Sequence, residues 1–375
     1  MTILLVLLGA VLIQYLAGVY YKKNWDRQLR MTLHFEETAV TEGEEGTLTE
    51  IIENRKWLFL PMLQAGFMVN RNLSFSEEEN ASVSDNTYKR DIFSVMSWQR
   101  IIRQVPFSAL KRGYYEITQT ELFTKGPLMS GELYSTCPVS TYLYVYPKKE
   151  SGQNFAELFQ KLSGVLEERK RLLEDPFTFR GIREYAPGDP MNRINWKASA
   201  RTGTYMVNMQ DSTTAGKVWL LLDVEDETIW KYEELHETGI RIAAALAEEF
   251  LGRGIETGVI SNGRDCVSGE EICVPARAGK GQSTRILQSL SRMGLNKAPG
   301  KFSQCLAARK NGLLSEEAFC ILITRNQYEE LVLAMEELGR KNQGCVFLAA
   351  LYPEMELKVR NSRTMQVIRW EVKKG

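Results

Sequence analysis

Histidine and paired cysteines are scarce in this chain, and their scarcity narrows the chemistry open to it. The 375 residues include two histidines, His34 and His236, so Cys-His or Ser-His nucleophilic catalysis has few candidates. The six cysteines are scattered without a C-x-x-C pair, so the spacing of zinc frameworks and thioredoxin-like redox sites is missing. These counts favour a protein that is not an enzyme and holds no cofactor.

The chain also lacks an excess of charge of either sign. Lys and Arg together number 47, as do Asp and Glu. Proteins that bind nucleic acid usually carry a basic excess, so nucleic acid is not expected as a partner. A composition of 44% hydrophobic and 25% charged residues is that of a globular protein, and 375 residues suffice for two or three domains.

One long uncharged stretch opens the chain. Residues 2–21, TILLVLLGAVLIQYLAGVYY, have about the length that just spans a bilayer core of roughly 30 Å. A cleaved signal peptide would begin with basic residues, and none precedes this stretch. Four basic residues follow it, at Lys22, Lys23, Arg27 and Arg30. Basic residues that flank a membrane helix usually remain on the cytoplasmic side. The sequence therefore predicts a membrane anchor over 1–30, which crosses the cell membrane once, and places the bulk of the chain in the cytoplasm. The cysteines would be reduced in that compartment.

Residues 31–147 have the pattern of a β-rich domain. The segments MTLHFEETAV and GTLTEIIEN alternate between apolar and polar side chains, and turn signals separate them. The segment STYLYVYP is rich in β-branched and aromatic residues and ends at Pro147. Short strands at this spacing predict a sandwich-like domain.

The pattern changes twice in the second half of the chain. Residues 148–216 combine an amphipathic helix, NFAELFQKLSGVLEERKRLLED, with an unusual motif. Residues 217–375 alternate apolar strands such as KVWLLLDV with helices, which predicts a doubly wound α/β domain.

Two shorter segments of the α/β region suggest special chemistry. DCVSGEEICVP predicts a hairpin with Cys266 and Cys273 opposite each other, both free thiols in a reducing compartment. AGKGQST resembles a phosphate-binding loop, but the first glycine of that pattern would fall at Val274. We therefore interpret it as a glycine-rich start of the next helix.

The unusual motif is FRGIREYAPGDPMNRINWKASAR, residues 179–201. Asp189 followed by proline predicts a helix start, with Asp189 as the N-cap, and Gly203 predicts its end after about three turns. Gly188 allows a tight turn before the cap. Lys197 and Arg201 are four residues apart and share one helix face.

Two interpretations of this motif stay open, and both can hold together. Arg183, Glu184, Asp189 and Arg201 can form a buried ion-pair network that fastens the loop to the sheet. The motif can also be a docking surface for a partner, because interfaces are enriched in arginine and tryptophan.

The motif resembles the signature of domain of unknown function 58, a bacterial and archaeal family. The family pattern is roughly G-x-R-E-Y-x-x-G-D-x-x-x-x-I-x-W-x-x-S-A-R, and the resemblance covers nearly the whole chain. The matching residues are Gly181, Arg183, Glu184, Tyr185, Gly188, Asp189, Ile194, Trp196, Ser199, Ala200 and Arg201. The resemblance implies a membrane-anchored protein with a von Willebrand factor A-like domain that works beside a MoxR-type AAA+ ATPase in assembling or activating other proteins.

Von Willebrand factor A domains often hold a divalent metal through D-x-S-x-S after the first strand, and this chain departs from that pattern. Asp223 is present, but Glu225 and Glu227 stand at the serine positions, and Arg325 stands where an aspartate would close the site. A cation there would repel Mg²⁺. We therefore expect a degenerate site near Asp223 without metal, and an unconventional carboxylate site is the alternative.

Together these patterns predict a non-catalytic scaffold or adaptor that binds protein partners. The residues expected to bind the partner are Arg183, Glu184, Tyr185, Gly188, Asp189, Trp196, Lys197 and Arg201. The alternatives are a divalent-cation-dependent adhesion or ligand-binding module, which the altered metal pattern disfavours, and a cryptic hydrolase, which the scarcity of histidine disfavours.

Overall fold

A computed structural model of the chain forms two compact units, Met1–Lys148 and Lys149–Gly375. The residues that it describes are 2–75, 86–126, 131–172, 179–187, 189, 191, 194–210, 216–226, 232–295, 299–309, 312, 314, 318–342 and 344–374.

The first unit consists of one helix followed by strands that form two sheets. The elements are α1 (Thr2–Asn24), β1 (Leu29–Phe35), β2 (Ala39–Thr41), β3 (Glu45–Asn54), β4 (Leu60–Asn70), β5 (Leu73–Phe75), β6 (Asn86–Val95), β7 (Arg100–Ala109), β8 (Gly113–Lys125) and β9 (Glu132–Tyr146). A four-stranded sheet has the order β1-β3-β7-β5, and a five-stranded sheet has the order β2-β9-β8-β4-β6.

The two sheets of the first unit share one hydrophobic core. Along β1, buried and exposed residues alternate strictly, because successive side chains of a strand point to opposite faces. Phe35 from β1 meets Phe107 from β7 edge to face, with ring centroids 5.6 Å apart. Both rings are buried in a cluster that also contains Phe67 and Leu143 from the five-stranded sheet. The inward faces of both sheets therefore supply the core.

The prediction of a transmembrane helix is wrong. α1 forms over the predicted stretch and has Lys22 and Lys23 in its last turn. Among the residues described, no helix is long and apolar enough to cross a membrane. The transmembrane part of the predicted fold class, the membrane as a partner and the single-pass membrane location are corrected accordingly. The fold is mixed α/β with many strands.

The second unit is built around a largely parallel sheet. The elements are α2 (Gln153–Leu172), β10 (Phe179–Glu184), α3 (Trp196–Thr202), β11 (Met206–Gln210), β12 (Lys217–Leu222), α4 (Glu233–Gly252), β13 (Thr257–Asp265), β14 (Glu271–Arg277), α5 (Lys280–Arg292), β15 (Met293–Gly294), α6 (Phe302–Arg309), β16 (Ala318–Thr324), α7 (Glu329–Lys341), β17 (Cys345–Leu351) and β18 (Met365–Glu371). The strand order of the large sheet is β14-β13-β12-β16-β17-β18, with β15 paired to β13 and with β10 and β11 in a separate two-stranded sheet.

The central strands of this sheet are apolar because helices cover both faces. Every residue of β16 and β17 is buried, as are all residues of β12 after the first. β12 lies between β13 and β16 and runs parallel to both. After β12 the chain forms β13, which is the neighbour of β12 on one side within the sheet, and it later forms β16, which is the neighbour of β12 on the opposite side. The carboxyl ends of β12 and β16 therefore form a topological switch point, the usual place for a site in such sheets.

The structure also decides the two shorter predictions. AGKGQST leads into α5, whose N-cap is Gly279, so its interpretation as a helix start is confirmed. Cys266 and Cys273 are exposed and not joined by a disulfide, and they do not face each other. Cys273 pairs with Ile260 in the β13–β14 ladder, because the register of the hairpin shifts before the turn.

Candidate functional site

The signature motif forms a hairpin of β10 and β11 that carries α3. The two strands are antiparallel and bring Arg183 opposite Val207. Ile194, just before α3, bridges to the same Val207 and is buried with it. None of the seven residues of α3 is buried. Hydrogen bonds, and not a hydrophobic face, must therefore hold this helix in place.

Asn195 is the N-cap that starts α3. Its Oδ1 accepts a hydrogen bond from the Ala198 amide at 3.0 Å, and its Nδ2 donates to Oδ1 of Asn208 in β11 at 2.7 Å. Gly203 ends the helix with a φ of 72°. The prediction of Gly203 as the helix end is confirmed, whereas the prediction of Asp189 as the cap and of three turns is wrong. The described helix begins at Trp196 and has seven residues.

The hydroxyl of Ser199 links α3 to β11. Ser199 Oγ donates to the Asn195 carbonyl at 2.8 Å and accepts from the Met206 amide at 2.8 Å. The Asn195 amide in turn donates to the Met206 carbonyl at 2.7 Å. The two bonds to Met206, together with the one from Asn195 Nδ2 to Asn208, join the start of the helix to the strand at three points.

Arg183 and Asp189 close the loop that precedes the helix. The two guanidinium nitrogens of Arg183 donate to the two carboxylate oxygens of Asp189 at 2.7 and 2.6 Å. Asp189 also accepts from the Ala186 amide at 2.9 Å, which explains why it is not available as a cap. The hydrogen bond from Arg183 to Asp189 raises the pKa of the guanidinium. Two-point pairing of this kind fixes geometry as well as charge.

The larger ion-pair network predicted for the motif does not form. Glu184 and Arg201 are both exposed, and the structure places neither in an ion pair with a described residue. Lys197 is exposed as well. Gly188 lies outside the described residues.

Two large aromatic side chains of this hairpin are exposed. Trp196 is 64% exposed and Tyr205 is 61% exposed, and their rings meet edge to face at a centroid distance of 6.3 Å. Tyr185 contacts Tyr205 at 6.4 Å, and its amide donates to the Tyr205 carbonyl at 2.7 Å. We call Trp196, Lys197, Arg201 and Tyr205 the signature surface. Sequence reasoning missed Tyr205, although its position between α3 and β11 was a signal.

The second candidate site is the switch point around Asp223. Asp223 is buried there, with 2% of its surface exposed. Its Oδ1 accepts from Asn262 Nδ2 at 3.1 Å and from the Glu225 amide at 3.0 Å. Its Oδ2 accepts from Thr324 Oγ1 at 2.7 Å and from Asn326 Nδ2 at 2.8 Å. Burial raises the pKa of the Asp223 carboxyl, and the hydrogen bonds that it accepts oppose this rise. Four protein donors thus occupy the acceptor positions that a cation would use.

The neighbouring acids of the switch point are also engaged. Glu225 Oε2 accepts from the Tyr328 hydroxyl at 2.9 Å and from the Phe302 amide at 3.1 Å. Burial raises the pKa of the Tyr328 hydroxyl far above its usual range. Glu227, the other glutamate considered as a metal ligand, lies outside the described residues.

Arg325 directly follows β16 and lies at the switch point, as the sequence predicted. Its Nε donates to Asp226 Oδ1 at 3.1 Å, and the same oxygen lies 2.9 Å from His236 Nε2. The guanidinium also lies over the ring of Tyr232, 4.4 Å from the centroid. Among the residues described, no three His, Cys, Asp or Glu side chains are grouped to hold a metal. Sequence reasoning missed Asp226, Asn262 and Asn326, since these come from loops and strands far apart in the chain.

Curated relatives with detectable similarity come from mycobacteria. Uncharacterized proteins of Mycobacterium tuberculosis and Mycobacterium bovis are each 30% identical over 139 residues. The match covers 36% of this chain and 42% of each relative, so it spans less than half of their length.

Solved structures resemble the chain only slightly. A PapD-like domain of human CEP192 matches with a TM-score of 0.20 and 13% identity, over 32% of this chain and 84% of that domain. A non-cellulosomal cohesin from the archaeon Archaeoglobus fulgidus matches with a TM-score of 0.21 and 11% identity, over 31% of this chain and 91% of the cohesin. Likenesses of this size support no inference about the chain.

The sequence resemblance is confirmed at the level of the family for one stretch of the chain. That stretch begins within the signature and continues into the α/β unit. Residues 181–315, which hold the hairpin, α3 and Asp223, match the family described as "Protein of unknown function DUF58".

Proposed function

We propose that this chain is a non-catalytic adaptor that binds a protein partner through the signature surface. The observation that carries the proposal is the exposure of Trp196 in α3 and of Tyr205 just before β11, in a segment that hydrogen bonds hold together. Tryptophan, tyrosine and arginine contribute most of the binding energy at protein interfaces. A patch with this composition is therefore better explained by a partner than by folding.

The hydrogen bonds that hold the signature surface in place support the same proposal. Asn195 and Ser199 join α3 to β11, and Arg183 with Asp189 closes the preceding loop. A surface that is already ordered loses less conformational entropy when a partner binds. The polar residues of the motif thus act as a support, and the aromatic ones remain available for contact.

The switch point supports a role without catalysis. Both oxygens of Asp223 accept hydrogen bonds from the protein itself, so this carboxylate lacks the open position that a general base or a metal ligand needs. One oxygen of Glu225 is engaged as well, by the Tyr328 hydroxyl and the Phe302 amide. The sheet order corresponds to 3-2-1-4-5-6, the arrangement of doubly wound folds. We infer a von Willebrand factor A-like unit whose metal site has become structural.

The family resemblance implies a MoxR-type AAA+ ATPase as the partner to test. The experiment immobilises the full chain and measures binding of the purified MoxR-type ATPase from the same organism by biolayer interferometry. We expect binding, and we expect Trp196→Ala to weaken it at least tenfold, as for an interface hot spot.

Trp57→Ala is the matched control, because Trp57 is 82% exposed and lies in the first unit. The control should bind like the unaltered chain. An ATPase that does not bind, or that binds the Trp196 variant unchanged, would show that the proposed adaptor role is wrong.

A further inference from the structure

We infer that the partner presents a short acidic segment to the signature surface. This inference rests on the proposed function and adds the chemistry of the partner. Lys197 and Arg201 are exposed on α3, and no ion pair joins either of them to another described residue. Their charges are therefore available to a partner.

The other cation described in this hairpin shows the contrast. Arg183 is neutralised by Asp189 through two short hydrogen bonds. Glu184 is the remaining exposed acid of the hairpin, and it lies in β10 opposite Met206. Arg183 and Asp189 cancel, and Glu184 offsets one of the two cations of α3. The described side chains of the hairpin and α3 therefore have a net charge of one positive unit, and both cations without an ion pair, Lys197 and Arg201, are on α3.

The spacing of the two cations indicates how acids would meet them. Residues four apart on a helix have Cβ atoms about 5–6 Å from each other. Alternate side chains of an extended strand are about 7 Å apart, so two acids separated by one residue can reach both cations. Charged hydrogen bonds of this kind are stronger than neutral ones, and they also speed association.

The exposed rings of Trp196 and Tyr205 indicate which side chain should accompany the acidic residues of the segment. Trp196 precedes Lys197 directly, and Tyr205 contacts the Trp196 ring. An apolar or aromatic side chain of the segment would pack on these rings while its acids meet the cations. α3 has seven residues and a length of about 10 Å. A standard interface of about 800 Å² per partner is roughly 30 Å across, about three times that length. A short segment therefore fits the surface better than a broad face of a folded domain.

The probe for the test is a random dodecapeptide library displayed on phage. It is selected in parallel on the full chain and on the double variant Lys197→Glu with Arg201→Glu. We expect peptides selected on the unaltered chain to be enriched in Asp and Glu beside an aromatic residue, and those selected on the variant to lose that enrichment. For a selected peptide, the double reversal should weaken binding about tenfold.

Salt provides a second measurement. Raising the salt concentration from about 0.1 M to 1 M shortens the Debye length from about 10 Å to about 3 Å, so it should weaken binding to the unaltered chain far more than to the variant. The control is Lys161→Glu with Lys373→Glu, which changes the net charge equally at two exposed positions elsewhere in the same unit. This control should select acidic peptides like the unaltered chain.

The outcomes separate this inference from the proposed function. Peptides that need Trp196 but are not acidic, or that bind the charge-reversed variant equally well, overturn the acidic segment and leave the adaptor role in place. A library that yields no peptide dependent on Trp196 also overturns the inference, whereas the adaptor role is decided by binding of the ATPase. The neutral variant Lys197→Gln with Arg201→Gln should give intermediate affinity, and it guards against misfolding caused by the reversed charges.

Discussion

The signature hairpin and the switch point use the same kinds of side chain in opposite ways. Each has an arginine paired with an aspartate and an asparagine that links two elements. The side chain of Arg183 is 44% exposed, whereas that of Arg325 is 11% exposed. At the switch point, tyrosines turn inward to Arg325 and Glu225, but at the hairpin Trp196 and Tyr205 remain exposed.

This difference indicates that the two regions have different tasks. The closed network at the switch point supplies protein donors to both oxygens of Asp223, so it stabilises the sheet edge. Asn326 Oδ1 is a buried acceptor of this network to which no described residue donates. The hairpin, among its described residues, leaves Lys197 and Arg201 without an ion pair and leaves Trp196 and Tyr205 exposed. The contrast predicts large losses of stability from changes at the switch point and losses of binding from changes at the hairpin.

The largest effect on stability should follow Asp223→Ala. Removal of this carboxylate takes an acceptor from four donors, three of them in buried hydrogen bonds, and we expect a loss of about 3 kcal/mol in the free energy of unfolding. Hydrogen exchange of the β12 peptide at increasing urea concentration measures this for the second unit. Asp189→Ala is the comparison and should barely move the transition, because its pair with Arg183 faces solvent. Equal losses from both variants would remove the distinction between the two regions.

A smaller loss should follow Arg325→Ala. The substitution leaves His236 Nε2 as the remaining described side-chain atom at hydrogen-bond distance from Asp226, and it removes the contact with the Tyr232 ring. We expect a loss of roughly 2 kcal/mol, below the value for a fully buried pair because the site is not wholly closed. The same exchange experiment applies, with Arg183→Ala as the matched control that should keep the transition of the unaltered chain. A stable Arg325 variant would contradict the closed network.

A local effect should follow Asn195→Ala. Loss of the N-cap should cost about 1 kcal/mol, confined to α3 because no residue of this helix is buried. Hydrogen exchange of the α3 amides should become faster while that of β12 stays unchanged. Asn195→Asp keeps an oxygen acceptor for the Ala198 amide and should restore most of the protection. Faster exchange throughout the unit would mean that α3 is part of the core after all.

The smallest effect should come from divalent cations. Since protein donors occupy the oxygens of Asp223, calorimetric titration with Mg²⁺ or Mn²⁺ should show no binding tighter than about millimolar, which corresponds to roughly 4 kcal/mol. Micromolar binding that Asp223→Ala abolishes would contradict the structural role given to this carboxylate.

Local patterns allowed much of the fold to be predicted. The apolar run KVWLLLDV predicted β12, since only a strand covered on both faces tolerates such a run. Gly203 predicted the end of α3, because its positive φ disfavours other residues.

Competition between candidates explains the errors at the site. Asp189 and Asn195 both suit a helix cap, and Arg183 engages Asp189, so Asn195 starts the helix. The sequence could not reveal this pairing, because it depends on how the loop folds back. The donors of Asp223 come from positions up to about a hundred residues away, and only the assembled sheet brings them together.

The absence of buried residues in α3 has a consequence for evolution. Substitutions at Trp196, Lys197 or Arg201 change what the surface offers without disturbing the packing of the sheet. Lys197 is the one of these three that the family pattern leaves open, so copies of this chain that differ there would differ in the segments they recognise while keeping the same scaffold. Asn195 and Ser199 are less conspicuous, but a substitution at either would release the helix, because their hydrogen bonds keep it attached to β11.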